Sequence, residues 1–178
     1  MATTKWVLDP THSEVLFKIK HLMITNVTGS FSAFDVTAET DGDDFSNAKI
    51  TFSANTNSIT TNNEQRDGHL KSPDFFDAEK YPQIKFISTK FQSTGNDKSF
   101  ELTGNLTIKD VTKEVKLAVE FGGIAKDPYG NIKAGFSISG KINRADFGLT
   151  WNAALETGGV VVSEEVRLSS EIQMIKGK

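Results

Sequence analysis

Between Thr61 and Phe86 the chain sets a cation, an acid and an imidazole close together, Arg66, Asp67 and His69, beside Leu70 and ahead of the adjacent rings of Phe75 and Phe76. That set could orient an amphipathic molecule. A guanidinium fork suits a carboxylate, phosphate or polar headgroup, an imidazole can accept or donate a proton, and the rings can hold an apolar part. Two neighbouring phenylalanines left in water would forfeit roughly 1.5–3 kcal/mol each of burial. At least one is therefore expected to point into a core or a cavity, with the charged residues at its rim. A lid that only plugs the end of a sheet is the other reading, and the residues alone leave both open.

Other chemistries find less support. His12, His21 and His69 are far apart and lack the close partners that place two imidazoles on one metal, so no metal site is expected. Cysteine is absent, which excludes disulfides, thiol catalysis and thiolate zinc sites. Asp9, His12 and Ser13 are residue types of a nucleophilic triad, but they crowd one turn and no Gly-x-Ser-x-Gly elbow occurs; turn chemistry explains them better. Neither glycine-rich nucleotide signature is present, and no cofactor is expected. The net charge is −3 with lysines scattered among acids, so nucleic acid is not an expected partner.

His21 continues the apolar face of Val15, Phe17 and Ile19, and a buried imidazole without a partner costs about 1–3 kcal/mol. A structural histidine bonded to backbone is preferred there over a ligand contact. Arg66 and Arg144 each fall in one of the two irregular segments, whereas Arg167 lies in the last strand. Pairing with Asp67 and Asp146 is the expected structural role, with ligand contact as the alternative.

Nearly everything else alternates. Ser13 to Leu22 reads as a strand, and Gly29 permits a bend. Phe31 and Phe34 differ in parity, which a bulge near Ala33 would reconcile. Ala48 to Ala54, Gln83 to Phe91, Phe100 to Ile108, Val115 to Phe121, Ala134 to Ile142 and Val166 to Met174 follow, with turns at 95–98 and 127–131. In Gln83 to Phe91, Ile84 and Phe86 fall on one face and Ile87, Thr89 and Phe91 on the other. This makes about eight strands, the pattern of an antiparallel sandwich or barrel within one domain over residues 1–178. Gly104 and Gly140, inside strands on the apolar face, favour a barrel and a cavity in it. Helical turns are expected only over Asn63 to Leu70 and residues 144–150. No run is long enough for a secretory leader or a membrane span, so a cytoplasmic location without stable membrane insertion is expected.

Several separated motifs agree in order. Trp6, Asp9, Pro10, His12 and Ser13 open the chain, with Val15, Phe17, His21 and Leu22; Gly29, Phe31 and Phe34 follow. Thr61 and the run from Arg66 to Phe76, then Tyr81, Pro82 and Phe86, form the most recognisable block. Gly104, Leu106 and Lys113, then Asn143, Arg144, Phe147 and Gly148, complete it. From Trp6 to about Ile175 the chain resembles the YceI-like family of lipocalin-like polyisoprenoid-binding proteins. The resemblance implies an all-β, eight-stranded antiparallel lipocalin-like barrel with one or two short helical segments. It further implies a long apolar ligand (an isoprenoid, isoprenoid quinone or fatty-acid derivative) and often a homodimer; many relatives carry a leader and work in the periplasm. Departing from many relatives, Lys109 and Asp110 follow Ile108, at a turn.

The leading expectation is a non-enzymatic carrier. Parity and position assign Phe17, Phe31, Phe34, Phe52, Phe75, Phe86, Phe136 and Trp151 to the wall, and His21, Arg66 and His69 to polar contacts. The rivals are an enzyme using His21 or His69 as general acid or base, and a packed structural or stress-response barrel with no ligand.

Overall fold

The period-two stretches all become strands, and the computed structural model describes residues 3–22, 24–149 and 162–177. In chain order these are β1 (Thr3–Leu8), β2 (Glu14–His21), β3 (Thr25–Phe31), β4 (Phe34–Asp41), β5 (Asp44–Asn55) and β6 (Ile59–Thr60). Helix α1 (Glu64–Lys71) follows, then β7 (Gln83–Ser93), β8 (Ser99–Ile108), β9 (Val111–Lys126), β10 (Ile132–Asn143) and β11 (Val162–Lys176). Short 3₁₀ turns occupy Pro10–His12, Thr56–Ser58 and Arg144–Phe147. α1 is the one α-helix among the described residues.

Every pairing is antiparallel, and the order β1-β4-β5-β7-β8-β9-β10-β11 returns to β1, closing a barrel of eight strands. Closure leaves that ring without a free edge. β11 is long enough to serve twice. Its last residues pair with β1, as Leu8 opposite Met174, and its earlier part pairs with β2, as Phe17 opposite Leu168. β1 and β2 are thus one wall strand kinked at Asp9–Ser13. β3 and β4 are likewise broken at Ser32 and Ala33, and β5 and β6 at Thr56–Ser58. The second and third kinks are joined by Asn55 N–H to the Ala33 carbonyl (2.9 Å) and Ser32 N–H to the Ser58 carbonyl (3.2 Å), and the first lines one surface cleft with them through Pro10 and Ser13.

The first kink shows what Asp9, His12 and Ser13 do. Pro10 has no N–H to give to a ladder, and Asp9 accepts from the Thr11 N–H (3.2 Å) and hydroxyl (2.9 Å). Lys133 Nζ reaches Asp9 Oδ2 at 2.5 Å and His12 Nδ1 lies 2.8 Å from the same oxygen, while Ser13 Oγ donates to the Asp9 carbonyl (2.7 Å). The hydrogen bond from Lys133 holds the Asp9 carboxyl far below the usual carboxylate range; burial opposes this, and His12 and Thr11 reinforce it. Lys133 is pushed up in turn, first by that same bond. Asp127, 3.6 Å from Lys133, is also lowered: burial would raise it, but hydrogen bonds from Asn131 and Tyr129 outweigh that.

Below the cavity the barrel is filled with rings. Phe45 packs against Trp6 (5.0 Å), Phe136 (4.9 Å) and Phe121 (5.5 Å), and Phe91 stacks on Phe100 at 4.7 Å. Trp6 is fully buried, and its Nε1–H donates to Thr40 Oγ1 (2.8 Å), so the polar edge of the indole is satisfied.

Two expectations change. Gln83 to Phe91 does not present two apolar faces: a bulge between Ser88 and Lys90 flips the parity, so Phe91 joins Ile84 and Phe86 inside while Ile87 is exposed. The inward glycines do not leave space either. Gly104 seats the Phe86 ring, with the Ile87 carbonyl 2.6 Å from where a Cβ would stand, and Gly140 seats the Leu117 side chain. Glycine here is the partner of a large residue lying across the strand.

Candidate ligand-binding site

Above the ring-filled layer, the inward residues of the same strands leave a cavity of about 380 Å³, within the range of small-molecule sites of roughly 300–1,000 Å³. Its wall is hydrocarbon. Ile50 and Phe52 of β5, Phe86 of β7, Leu106 of β8, Val115 and Leu117 of β9, Ile138 and Ile142 of β10, and Val166 and Leu168 of β11 supply it, facing Phe17 and Phe31.

The mouth is closed by the segment that follows β6. Asn63 caps α1 by accepting from the Arg66 N–H (3.0 Å). Arg66, His69 and Leu70, spaced i, i+3 and i+4, all line the cavity from one helix face. Phe75 and Phe76 follow, Phe75 buried and Phe76 edge-on to Phe31 at 6.1 Å. The charged residues stand at the rim and the rings turn inward. The second irregular segment adds Arg144 and Leu149 on another side.

Thr61 anchors the cap. It is buried, and its N–H and hydroxyl both donate to Asp67 Oδ1, at 2.8 and 2.6 Å. Arg66 Nε donates to the same hydroxyl (2.7 Å) and Nη2 to the Thr61 carbonyl (2.8 Å). Arg66 and Asp67 are therefore joined through Thr61, and not by the direct ion pair expected from their adjacency. Arg144, 3 % exposed, sends its guanidinium to the carbonyls of Leu149 (2.7 Å), Ser163 (2.8 Å) and Val162 (3.3 Å), where Asp146 was the expected partner. Burial lowers the Arg144 pKa, with Glu164 acting weakly in the opposite sense. His69 Nε2 lies 2.9 Å from Asp74 Oδ2, and the ring meets Phe75 edge-on at 5.1 Å.

Of the residues assigned from the sequence, Phe17, His21, Phe31, Phe52, Arg66, His69, Phe75 and Phe86 line this one cavity. Phe136 does not: it lies deeper, in the ring layer against Phe45. Phe34 keeps the inward parity of Val36 and Ala38 but stands at the kink, where it lines a surface cleft with Pro10 and Ser53. Trp151 lies outside the described residues. The sequence reading passed over Lys20, Thr61 and the aliphatic wall, although Ile50, Val115 and Val166 share the parity of residues it did mark. Among the described residues no cluster of His, Asp or Glu could hold a metal ion. No helix among them is long and apolar enough to cross a membrane.

A closed antiparallel barrel of eight strands, plugged with rings at one end and holding an apolar cavity under a helical cap, defines a lipocalin-like fold. The YceI-like domain model matches residues 6–174, and the chain belongs to that family. UPF0312 protein SAS2572 of Staphylococcus aureus (strain MSSA476) is 40% identical over 171 residues, 96% of either chain. The crystal structure of the Campylobacter jejuni YCEI protein is 35% identical, with a TM-score of 0.75 over 96% of this chain and 97% of that one. A domain from Saccharophagus degradans described as polyisoprenoid binding shares the fold at 15% identity, with a TM-score of 0.69 over 97% and 98% of the two chains.

Proposed function

We propose that this protein is a non-enzymatic carrier that holds one long apolar chain, an isoprenoid, isoprenoid quinone or acyl chain, inside the barrel with its polar end at the cap. The observation that carries the reading is the hydrocarbon wall of the 380 Å³ cavity, with polar side chains gathered at the mouth. The name given to the Saccharophagus degradans domain, polyisoprenoid binding, points the same way. Burying about 400 Å² of ligand hydrocarbon yields about 10 kcal/mol gross, reduced by the cost of immobilising a flexible chain. The reading extends to a homodimer, whose mass sedimentation velocity measures directly.

The test is uptake of a neutral fluorescent chain probe, titrated to saturation. Wild type should bind one probe per barrel. Val166→Phe should bind it at least about tenfold more weakly, because a ring replaces wall space between Ile19 and Ile142, the register partners of Val166. A wild-type protein that binds no chain probe would defeat the proposal.

A further inference from the structure

The turn that joins β2 to β3 carries apolar residues into solvent. Across it the Ile24 N–H donates to the His21 carbonyl (3.2 Å), and Leu22 stands at φ 54°, a left-handed conformation that glycine or asparagine adopts at less cost than a branched side chain. Leu22 is 37 % exposed and Ile24 75 %. Neither turn chemistry nor core packing calls for them.

The tip stands at the mouth of the barrel. Along β11, Val162 near one end faces His21, and Lys176 at the other faces Trp6 of the ring layer. His21 lines the cavity, so the turn that follows it lies at the open end and not at the plugged one.

Behind the tip, the outer face carries a row of cations. Lys18 of β2 is directly opposite Arg167 of β11, and Arg167 is directly opposite Lys141 of β10. Like charges in that relation destabilise a sheet. All three are exposed, as is Lys20, and of the four only Lys141 has an ion pair among the described residues, with Glu165 at 3.4 Å. Glu164 is exposed beside Glu165, while β3 sets neutral Asn26 and Thr28 opposite Lys20 and Lys18. Towards the kink the sign reverses, with Glu14 opposite Glu171. On a chain of net charge −3, these strands thus turn cations toward the mouth and acids away from it.

Two apolar side chains on a hairpin tip are too small a patch for a specific protein interface, which buries about 1,200–2,000 Å². A lipid surface needs no shape matching: it takes a shallow apolar insertion of about 5–10 Å together with cations near its phosphates. At about 3.4 Å per residue, Lys20 stands about 7 Å behind Leu22 and Lys18 about 14 Å, within reach of that charge through their long side chains.

We infer that the β2–β3 hairpin docks the barrel reversibly, mouth first, on an anionic lipid bilayer, with Leu22 and Ile24 among the headgroups and Lys18, Lys20, Arg167 and Lys141 facing the lipid phosphates. Docking stands on the tip and the cation row; that it serves to load or unload the chain rests on the carrier reading.

Cosedimentation with vesicles tests it, comparing phosphatidylcholine alone with phosphatidylcholine and phosphatidylglycerol in equal parts. Wild type should bind the mixed vesicles at least about tenfold more tightly, and the preference should vanish at about 1 M salt, where charge is screened beyond about 3 Å. Leu22→Asn/Ile24→Asn and Lys18→Gln/Arg167→Gln should each weaken that binding at least about tenfold. Asparagine suits the left-handed turn, and none of the four residues lines the cavity, so uptake of the neutral chain probe without vesicles should be unchanged in both variants. The chain has no cysteine, so a polarity-sensitive dye on Ile24→Cys is at a single site; mixed vesicles should shift its emission to the blue, and leave the same dye on Tyr129→Cys, at the turn between β9 and β10, unshifted. Wild type that ignores mixed vesicles, or binding that survives both double variants, overturns the inference; probe uptake in the same samples leaves the carrier reading standing. Docking without probe uptake upholds the lipid surface and overturns its use in loading.

Discussion

Phe17 lays its ring across Gly29, its cross-strand partner, in the space a Cβ at position 29 would occupy. The ring also contacts Phe31 at 5.7 Å and faces the cavity, so this glycine sets how far an aromatic wall residue reaches inward. Gly29→Ala must push the Phe17 ring toward the cavity. Overpacking of this kind costs about 1–3 kcal/mol. Urea unfolding should show that loss, and the neutral chain probe should bind more weakly to the same variant. A variant as stable as wild type would contradict the packing described.

The kink at Asp9 makes a pH prediction. Because the folded Asp9 pKa is depressed by Lys133, the stabilisation is complete above the unfolded value of about 4 and is lost as the pH falls through that range toward the folded value. Lys133, raised in the fold, contributes below its unfolded value of about 10.4 and loses that contribution as the pH rises past its folded one. Asp9→Asn should therefore unfold at lower urea than wild type at pH 7, and the gap should narrow steadily below about pH 4. A gap independent of pH would contradict the account.

Thr61 joins the cap to the barrel, through a hydroxyl that donates to Asp67 and accepts from Arg66. Thr61→Val removes both bonds and keeps the shape. Hydrogen bonds to charged partners contribute about 1.5–3 kcal/mol each, so losing two should ease local opening of α1 by about 3 kcal/mol, or more than about a hundredfold in amide exchange. Exchange at Asp67, whose N–H donates to the Asn63 carbonyl, reads this directly. Global unfolding should change less than the helix does. Equal protection of α1 in both proteins would show that the cap is held by its rings instead.

Much of the barrel is legible in the sequence because period two survives wherever one strand face is buried. The reading fails where backbone geometry breaks the period. The bulge after Ser88 moves Phe91 to the inner face, and no residue type in that stretch announces it. Depth along a strand is equally hidden: Phe136 and Ile138 share an inward parity, yet one belongs to the ring layer and the other to the cavity wall. Parity cannot separate those levels, since it records which face a residue is on and not how far along the barrel it lies. The cap was readable in outline, because Phe75 and Phe76 needed burial and α1 carries its own capping residue. Its anchor was not, because a threonine joining Arg66 to Asp67 leaves no charge pattern in the sequence. Gly104 and Gly140 read as missing volume, whereas the volume is supplied by Phe86 and Leu117 from neighbouring strands.

The central claim is that the barrel holds one apolar chain. Native mass spectrometry of the protein purified from its own cells without detergent tests it most directly. The account predicts a bound species of one defined lipid mass per barrel, released on denaturation and absent from Val166→Phe purified in the same way. Wild-type protein that shows only its own mass, and takes up no chain when one is supplied, would contradict it.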